Sequence, residues 1–159
     1  MMIQDYTIKL LNDCQEYIPS LAQLWYEEIS RHWVPESSIE KAKQKLLAHL
    51  NSDKMPMAFV AIYDNQPIGM ACLRENDGIR EGTSPWLGSL VVHPNYRGRK
   101  LGELLINAVK YEAKKFGHLI LYLLAFDPTI PEWYEKLGWE YIGYDELFSQ
   151  RVTVMSINL

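Results

Sequence analysis

Apolar and polar positions repeat along this chain with two periods, and each change of period marks an element boundary. Residues 6–11 alternate weakly and run into Asn12-Asp13, which predicts a short first strand and a turn. Over 17–29, Ile18, Leu21, Ala22, Leu24, Trp25 and Ile29 recur at helical spacing, with Pro19 in the first turn, where a missing N–H is tolerated. Residues 31–35 are expected to break that helix. Ser37 or Ser38 can cap a second one, because Glu40 follows and Ala42, Leu46, Leu47 and Leu50 share a face. Residues 51–53 end it.

Residues 57–63 read as a strand, 64–66 as a turn, and 67–73 as the returning strand, a hairpin with a loop longer than the tightest kind. Residues 75–84 are polar, contain two glycines and read as a loop. The run 85–92 is a further strand. His93-Pro94-Asn95 stops it, since Pro cannot donate to a ladder and Asn favours turns. Leu101, Leu104, Leu105, Ala108, Val109 and Phe116 then fall on one helical stripe, broken only by Glu112. Residues 118–126 are almost continuously apolar, as in a central strand buried on both faces. After a loop at 127–131 comes a short helix over 132–137, with Pro131 at its start and Gly138 past its end. Strands over 140–148 and 151–157 complete the order β-α-α-β-β-β-α-β-α-β-β, a mixed-sheet α/β class. No repeat or linker divides residues 1–159, so one domain is expected.

Composition narrows the function. A hydrophobic fraction of 48% supports a sizeable core. A formal charge of −4 argues against a general nucleic-acid partner. No apolar run approaches the roughly 20 residues of a membrane span. Residues 1–5 lack the basic-then-apolar pattern of a secretory leader. Cys14 and Cys72 have neither metal-ligand nor redox spacing and read as free thiols of a reducing compartment. A cytoplasmic protein without metal, membrane or nucleic-acid partner is expected.

The chemistry centres on 87–102. A buried strand, a basic turn with glycine, and a helix start make an anion site. The first helical N–H groups lack intrahelical partners, and the macrodipole adds positive potential. Gly98 and Gly102 permit close approach of backbone to a phosphate; Arg97, Arg99 and Lys100 add charge. A solvated basic helix start is the plain alternative. The spacing fits neither a Walker A loop nor a dinucleotide fingerprint.

Residues 97–102, Arg-Gly-Arg-Lys-Leu-Gly, resemble the pyrophosphate loop of the GNAT superfamily of acetyl-CoA-dependent N-acetyltransferases, Arg/Gln-x-x-Gly-x-Gly/Ala, with Lys100 in place of a glycine. A lysine there can donate its own N–H if its φ is negative, so the loop can survive the change. Residues 133–139, Trp-Tyr-Glu-Lys-Leu-Gly-Trp, look like the family's late Tyr-x-x-Leu-Gly-Phe/Trp segment, and the element order is also the family's. The match is good over the second half of the chain and limited to element order in the first.

The resemblance implies acetyl-CoA as co-substrate and a small-molecule or peptide amine as acceptor, and it leaves room for a homodimer. It implies cofactor contacts from Leu90, Val91, Val92, Arg97, Gly98, Arg99, Lys100, Leu101, Gly102 and, as a weaker parallel to a family asparagine, Asp127. It also implies that the strand ending at Val92 splays from the strand at 118–126, freeing backbone to pair with the pantetheine arm. Tyr134 stands where the family has a general acid. An ordinary phenol pKa of about 10 lets it protonate a thiolate while neutral at pH 7. Its plain alternative is a packing aromatic beside Trp133. Where some members carry a glutamate base, this chain has Trp86. Glu27, Glu28, Glu75, Asp77 and Glu81 can act through water, and together they hint at a cationic acceptor or a solvated face. His93 and His32 fit capping or surface roles better than that of a base. Trp25, Tyr26, Trp33 and Trp86 are candidate acceptor-pocket walls or core. A non-catalytic acyl-CoA-binding module is the competing reading.

Overall fold

The computed structural model describes residues 5–159; residues 1–4, part of the start read above for a leader, lie outside them. The strands are β1 (Thr7–Leu10), β2 (Met57–Tyr63), β3 (Gln66–Arg74), β4 (Trp86–Val92), β5 (Ile120–Ala125), β6 (Glu140–Leu147) and β7 (Gln150–Asn158). They form one sheet in the order β1-β2-β3-β4-β5-β7-β6, antiparallel except for the parallel pair β4–β5. The helices are α1 (Ile18–Trp25), α2 (Arg31–Trp33), α3 (Ile39–Leu47), α4 (Leu101–Lys115) and α5 (Pro131–Lys136).

The first helix does not stop at residue 31. It passes through a π turn, Tyr26–Ser30, directly into α2, and only Val34 becomes extended. Pro35 sets that stop, because its ring disfavours helical backbone at the preceding residue and no earlier one. Ser38 is the cap of α3, its side chain accepting from the Lys41 N–H at 3.0 Å. The β2–β3 connection is tighter than expected. Asp64 and Asn65 both take left-handed backbone (φ 50° and 58°), and Tyr63 pairs with Gln66. That is a two-residue hairpin turn, which Asp and Asn tolerate.

Each face of the sheet has its own core. On one, Leu101, Leu105, Ile106 and Val109 of α4 are buried with Phe59, Leu73, Leu87 and Leu123. Each fully buried aliphatic side chain contributes about 1.5–3 kcal/mol. Glu112, the charge in that stripe, is buried and paired with Lys115 at 3.5 Å. On the other face, Leu21, Trp25, Ala42 and Leu46 of α1 and α3 are buried with Val60, Met70, Cys72 and Val91. No β5 residue belongs to this second core. Consequently β5 is not covered on both faces: Leu121 and Leu123 are buried, while Ile120 is exposed and Tyr122 and Leu124 are half-buried. Cys14 and Cys72 are free and buried.

Candidate active site

The parallel ladder between β4 and β5 has two rungs, Trp86–Tyr122 and Leu87–Leu123. Both strands continue beyond it, so they part. A bulge helps. The register of β4 against β3 shifts between Met70 and Cys72, and Ser89 takes a left-handed φ of 49°. A bulge bends its strand and raises the local twist. The parted strands line a cavity of about 1080 Å³, with residues 87–92 on one side and 123–127 on the other.

One end of the cavity is the basic turn. His93 accepts from the Asn95 N–H through Nδ1 at 3.1 Å, capping a 3₁₀ turn over Pro94–Tyr96. Gly98 turns with φ +78°, and Lys100 is the N-cap of α4. The condition of a negative φ at Lys100 is not met: its φ is 63°, the left-handed backbone that a glycine would adopt without strain. The helix must start abruptly behind the turn, and the backbone reverses there whatever the side chain. The first internal bond of α4 runs from the Leu104 N–H to the Lys100 carbonyl. The N–H groups of Leu101, Gly102 and Glu103 are therefore free at the cavity end. Arg97 lines the cavity, donating from Nε to the Val92 carbonyl at 3.1 Å and pairing with Glu28 at 3.5 Å. Arg99 does not line it. Its guanidinium sits 5.2 Å from the Tyr96 ring centre and hydrogen-bonds the Tyr6 hydroxyl at 3.3 Å, so its charge faces outward. Gly102 also admits a neighbour: a Cβ there would meet the Trp133 ring at 2.9 Å.

Tyr134, on α5, is buried and lines the same cavity. Its ring packs edge-on against Trp133 and Trp139, with centroids 5.0 and 5.7 Å away. Burial pushes its phenol pKa above the ordinary value. The hydroxyl is therefore a neutral donor, and a weaker acid than an ordinary phenol. Asp127 lines the cavity too, but its Oδ1 is engaged by the Thr129 N–H at 2.9 Å and hydroxyl at 2.7 Å, as a turn aspartate.

The other end is aromatic. Trp33 stacks on Phe126 (5.9 Å, 11°), and Phe126 on Phe148 (6.2 Å, 9°), joining the end of the first helix, the end of β5 and the β6–β7 turn. Of the four candidate wall aromatics, Trp25 and Trp33 line the cavity, and Tyr26 and Trp86 do not. Trp86 is fully buried, its Nε1 donating to the Thr83 carbonyl at 2.6 Å. Of the five acidic residues singled out in the sequence, Glu28, Glu75 and Asp77 line the cavity, and Glu27 and Glu81 do not. Glu28 is tied to Arg97 and Asp77 to Arg74. His32 stays on the surface against the Glu27 carbonyl at 3.1 Å.

A polar cluster that periodicity did not single out also lines the cavity. Arg74, buried at the end of β3, donates from Nε to His49 Nε2 at 2.9 Å, from Nη1 to Asp77 at 3.0 Å and from Nη2 to Ser89 Oγ at 2.6 Å. His49 Nδ1 donates to the Lys45 carbonyl at 2.7 Å. Burial, and then the charge of Arg74, lower the His49 pKa to about 4, so the ring is neutral. Gly88 belongs to the same design, since a Cβ there would overlap the Arg74 guanidinium. Two signals were available. Arg74 ends an otherwise apolar strand, and His49 continues the Ala42–Leu46 stripe at helical spacing.

Among the described residues, no group of three or more His, Cys, Asp or Glu is placed to hold a metal ion, and no helix is long and apolar enough to cross a membrane. Comparison with curated protein sequences gave no significant match. Solved structures of similar fold are many. An aminoglycoside 6'-N-acetyltransferase complexed with coenzyme A is 18% identical, with TM-score 0.74 and 96% of each chain covered. An N-acetylglutamate synthase from Neisseria gonorrhoeae, complexed with coenzyme A and N-acetyl-glutamate, is 19% identical with TM-score 0.74, covering 99% of this chain and 36% of that one. A GNAT-family acetyltransferase from Staphylococcus aureus Mu50 is 17% identical with TM-score 0.73, covering 98% and 99%. At such identities these likenesses concern the fold. The sequence model of the Acetyltransferase (GNAT) family, however, matches residues 18–139, from the start of α1 past the whole of α5. With that match joined to its parted strands and its turn before α4, this chain belongs to the GNAT family of acetyltransferases.

Proposed function

We propose that residues 1–159 act as one domain that transfers the acetyl group of acetyl-CoA directly to a primary amine of a small molecule or peptide. The observation that carries this is the parting of β4 and β5 beyond Leu87–Leu123, which opens one cavity from the basic turn to Tyr134. The pyrophosphate lies at the turn, met by the free N–H groups of Leu101, Gly102 and Glu103 and by Gly98, Arg97 and Lys100. Arg99 adds only long-range charge. The pantetheine arm runs along the freed backbone of Leu90, Val91 and Val92, with Asp127 across the gap. N–H groups near Leu90 polarise the thioester oxygen.

The acceptor enters from the aromatic end. Its nitrogen attacks the thioester carbon, the C–N bond forms, and the C–S bond breaks. The proton lost by the amine goes to water next to Glu75, a cavity carboxylate without an arginine partner. The departing thiolate takes its proton from the Tyr134 hydroxyl, which solvent then restores. A cytoplasmic location fits the two buried free thiols. A homodimer would find an apolar face on edge strand β6, where Tyr141, Ile142 and Tyr144 are exposed.

The engagement of Glu28 and Asp77 by arginines favours the competing reading, an acyl-CoA-binding module without catalysis. One experiment decides between them. CoA affinity is measured by calorimetry, and thiol release from acetyl-CoA is followed with a panel of primary amines. Binding with turnover supports the transferase; binding without turnover of any amine supports the module; absence of CoA binding rejects both.

A further inference from the structure

Two cations converge on one indole at the acceptor end of the cavity. Lys45 Nζ lies 5.3 Å and Arg74 Cζ 5.7 Å from the Trp25 ring centre, and all three residues line the cavity. A single carboxylate answers them, Asp77, which is bonded to Arg74. His49, the other titratable group of the cluster, is neutral. Among the described residues the Lys45 ammonium has neither a hydrogen bond nor a carboxylate within ion-pair distance; its one close partner is the Trp25 face. Lys45 is exposed overall, and no carboxylate answers its ammonium on the cavity side. An anionic group on a bound molecule would supply the missing charge.

The position gives this a meaning for the reaction. Arg74 also bonds Ser89, the neighbour of Leu90 at the strand split. An anion held between Lys45 and Arg74 therefore lies beside the point where the thioester is expected. Ile29, Trp33, Phe126 and Phe148 add apolar walls to the same cavity. The acidic hint in the sequence narrows to Glu75, since Glu27 and Glu81 are off the cavity and Glu28 and Asp77 are matched by arginines.

We propose that Lys45, with Arg74 behind it, forms a carboxylate subsite, and that the acceptor is a small amino carboxylate with an apolar body. This rests on the N-acetyltransferase reading above: the carboxylate docks at Lys45, the apolar body lies on the aromatic stack, and the amine of the same molecule points to the split. The bidentate faces of Arg74 are already engaged, so Lys45 supplies the direct contact and Arg74 the field.

The test reads product binding, independently of turnover. N-acetyl-L-phenylalanine, N-acetyl-L-leucine and N-acetyl-L-methionine, each beside its uncharged primary amide, are titrated calorimetrically into CoA-saturated protein. Each carboxylate is expected to bind at least tenfold more tightly than its amide. Lys45→Met should erase that advantage with CoA affinity and thermal midpoint retained, and Lys45→Arg should preserve it. Equal affinity for acid and amide, binding of neither, or an advantage that survives Lys45→Met overturns the subsite and leaves acetyl transfer standing. Wild-type protein that binds no CoA overturns both.

Discussion

Arg74 Nη2 donates to Ser89 Oγ across 2.6 Å, tying the end of β3 to the one residue of β4 with left-handed backbone. The bulge that parts β4 from β5 is thus held by a buried guanidinium with three different acceptors. Gly88 leaves room for it, and His49 and Asp77 take its other faces. The opening of the cavity and the polar cluster behind it are one construction.

Replacing Arg74 by Met keeps the volume and removes the charge. Asp77 and His49 Nε2 then lose their donor in a part-buried setting, a situation that costs about 3–5 kcal/mol when one member of a buried pair is deleted. Urea unfolding should show that loss, with a thermal midpoint lower by roughly 6–20 °C. Ser89→Ala removes one bond and should cost only about 1.5–3 kcal/mol. If Arg74→Met is no less stable than Ser89→Ala, the guanidinium does not organise the bulge.

His49 makes stability depend on pH. Its folded-state pKa of about 4 lies below its unfolded value of 6.5, so the unfolded chain binds more protons between the two. The contribution is complete above about pH 6.5 and is lost as pH falls toward 4, on the order of 3 kcal/mol in all. Urea unfolding at pH 7, 5.5 and 4.5 measures it. His49→Gln, which retains a donor and an acceptor, should flatten the slope; an unchanged slope would assign the acid sensitivity to other groups.

Gly102→Glu places a carboxylate among the free N–H groups at the start of α4 and pushes its Cβ into Trp133. Trp133 is 38% exposed, so its ring can swing aside and the fold is retained. CoA affinity should fall at least a hundredfold, about 2.7 kcal/mol. Calorimetry on a variant with native circular dichroism checks this, and wild-type affinity would remove the phosphate from the turn.

Lys100→Gly relieves a left-handed backbone that costs an L-residue about 1–2 kcal/mol. Part of that gain is offset by the greater freedom of glycine in the unfolded chain. The variant should be no less stable than wild type, and its CoA affinity should stay within about tenfold, roughly 1.4 kcal/mol. A hundredfold loss would show that the ammonium itself holds phosphate.

Tyr134→Phe deletes one oxygen and keeps the ring between Trp133 and Trp139. General acid catalysis is typically worth about 10²–10⁴-fold. The chemical step, followed before the steady state, should slow at least tenfold with CoA affinity little changed, water acting as a substitute donor. A wild-type rate for that step would make Tyr134 a packing residue.

Periodicity and turn residues carried most of the architecture, because each acts within a window of about ten residues. The Leu101–Val109 stripe, the stop at His93-Pro94-Asn95 and the Pro131–Gly138 brackets are local instructions, and the elements follow them. The turn before α4 was legible for the same reason: strand, glycine and helix start are contiguous. What needed the folded chain was every contact between distant segments. Arg99 turns outward because Tyr6 comes alongside from 93 residues away. Lys100 takes the left-handed backbone at the N-cap of α4, where the family pattern has glycine. One wall of the cavity is assembled from Trp25, Lys45, His49, Arg74 and Ser89, which meet only when α1 and α3 pack on the sheet face beside a bulged β4. No spacing along the chain encodes that meeting; packing decides it, because only burial brings these side chains within hydrogen-bond reach and out of water.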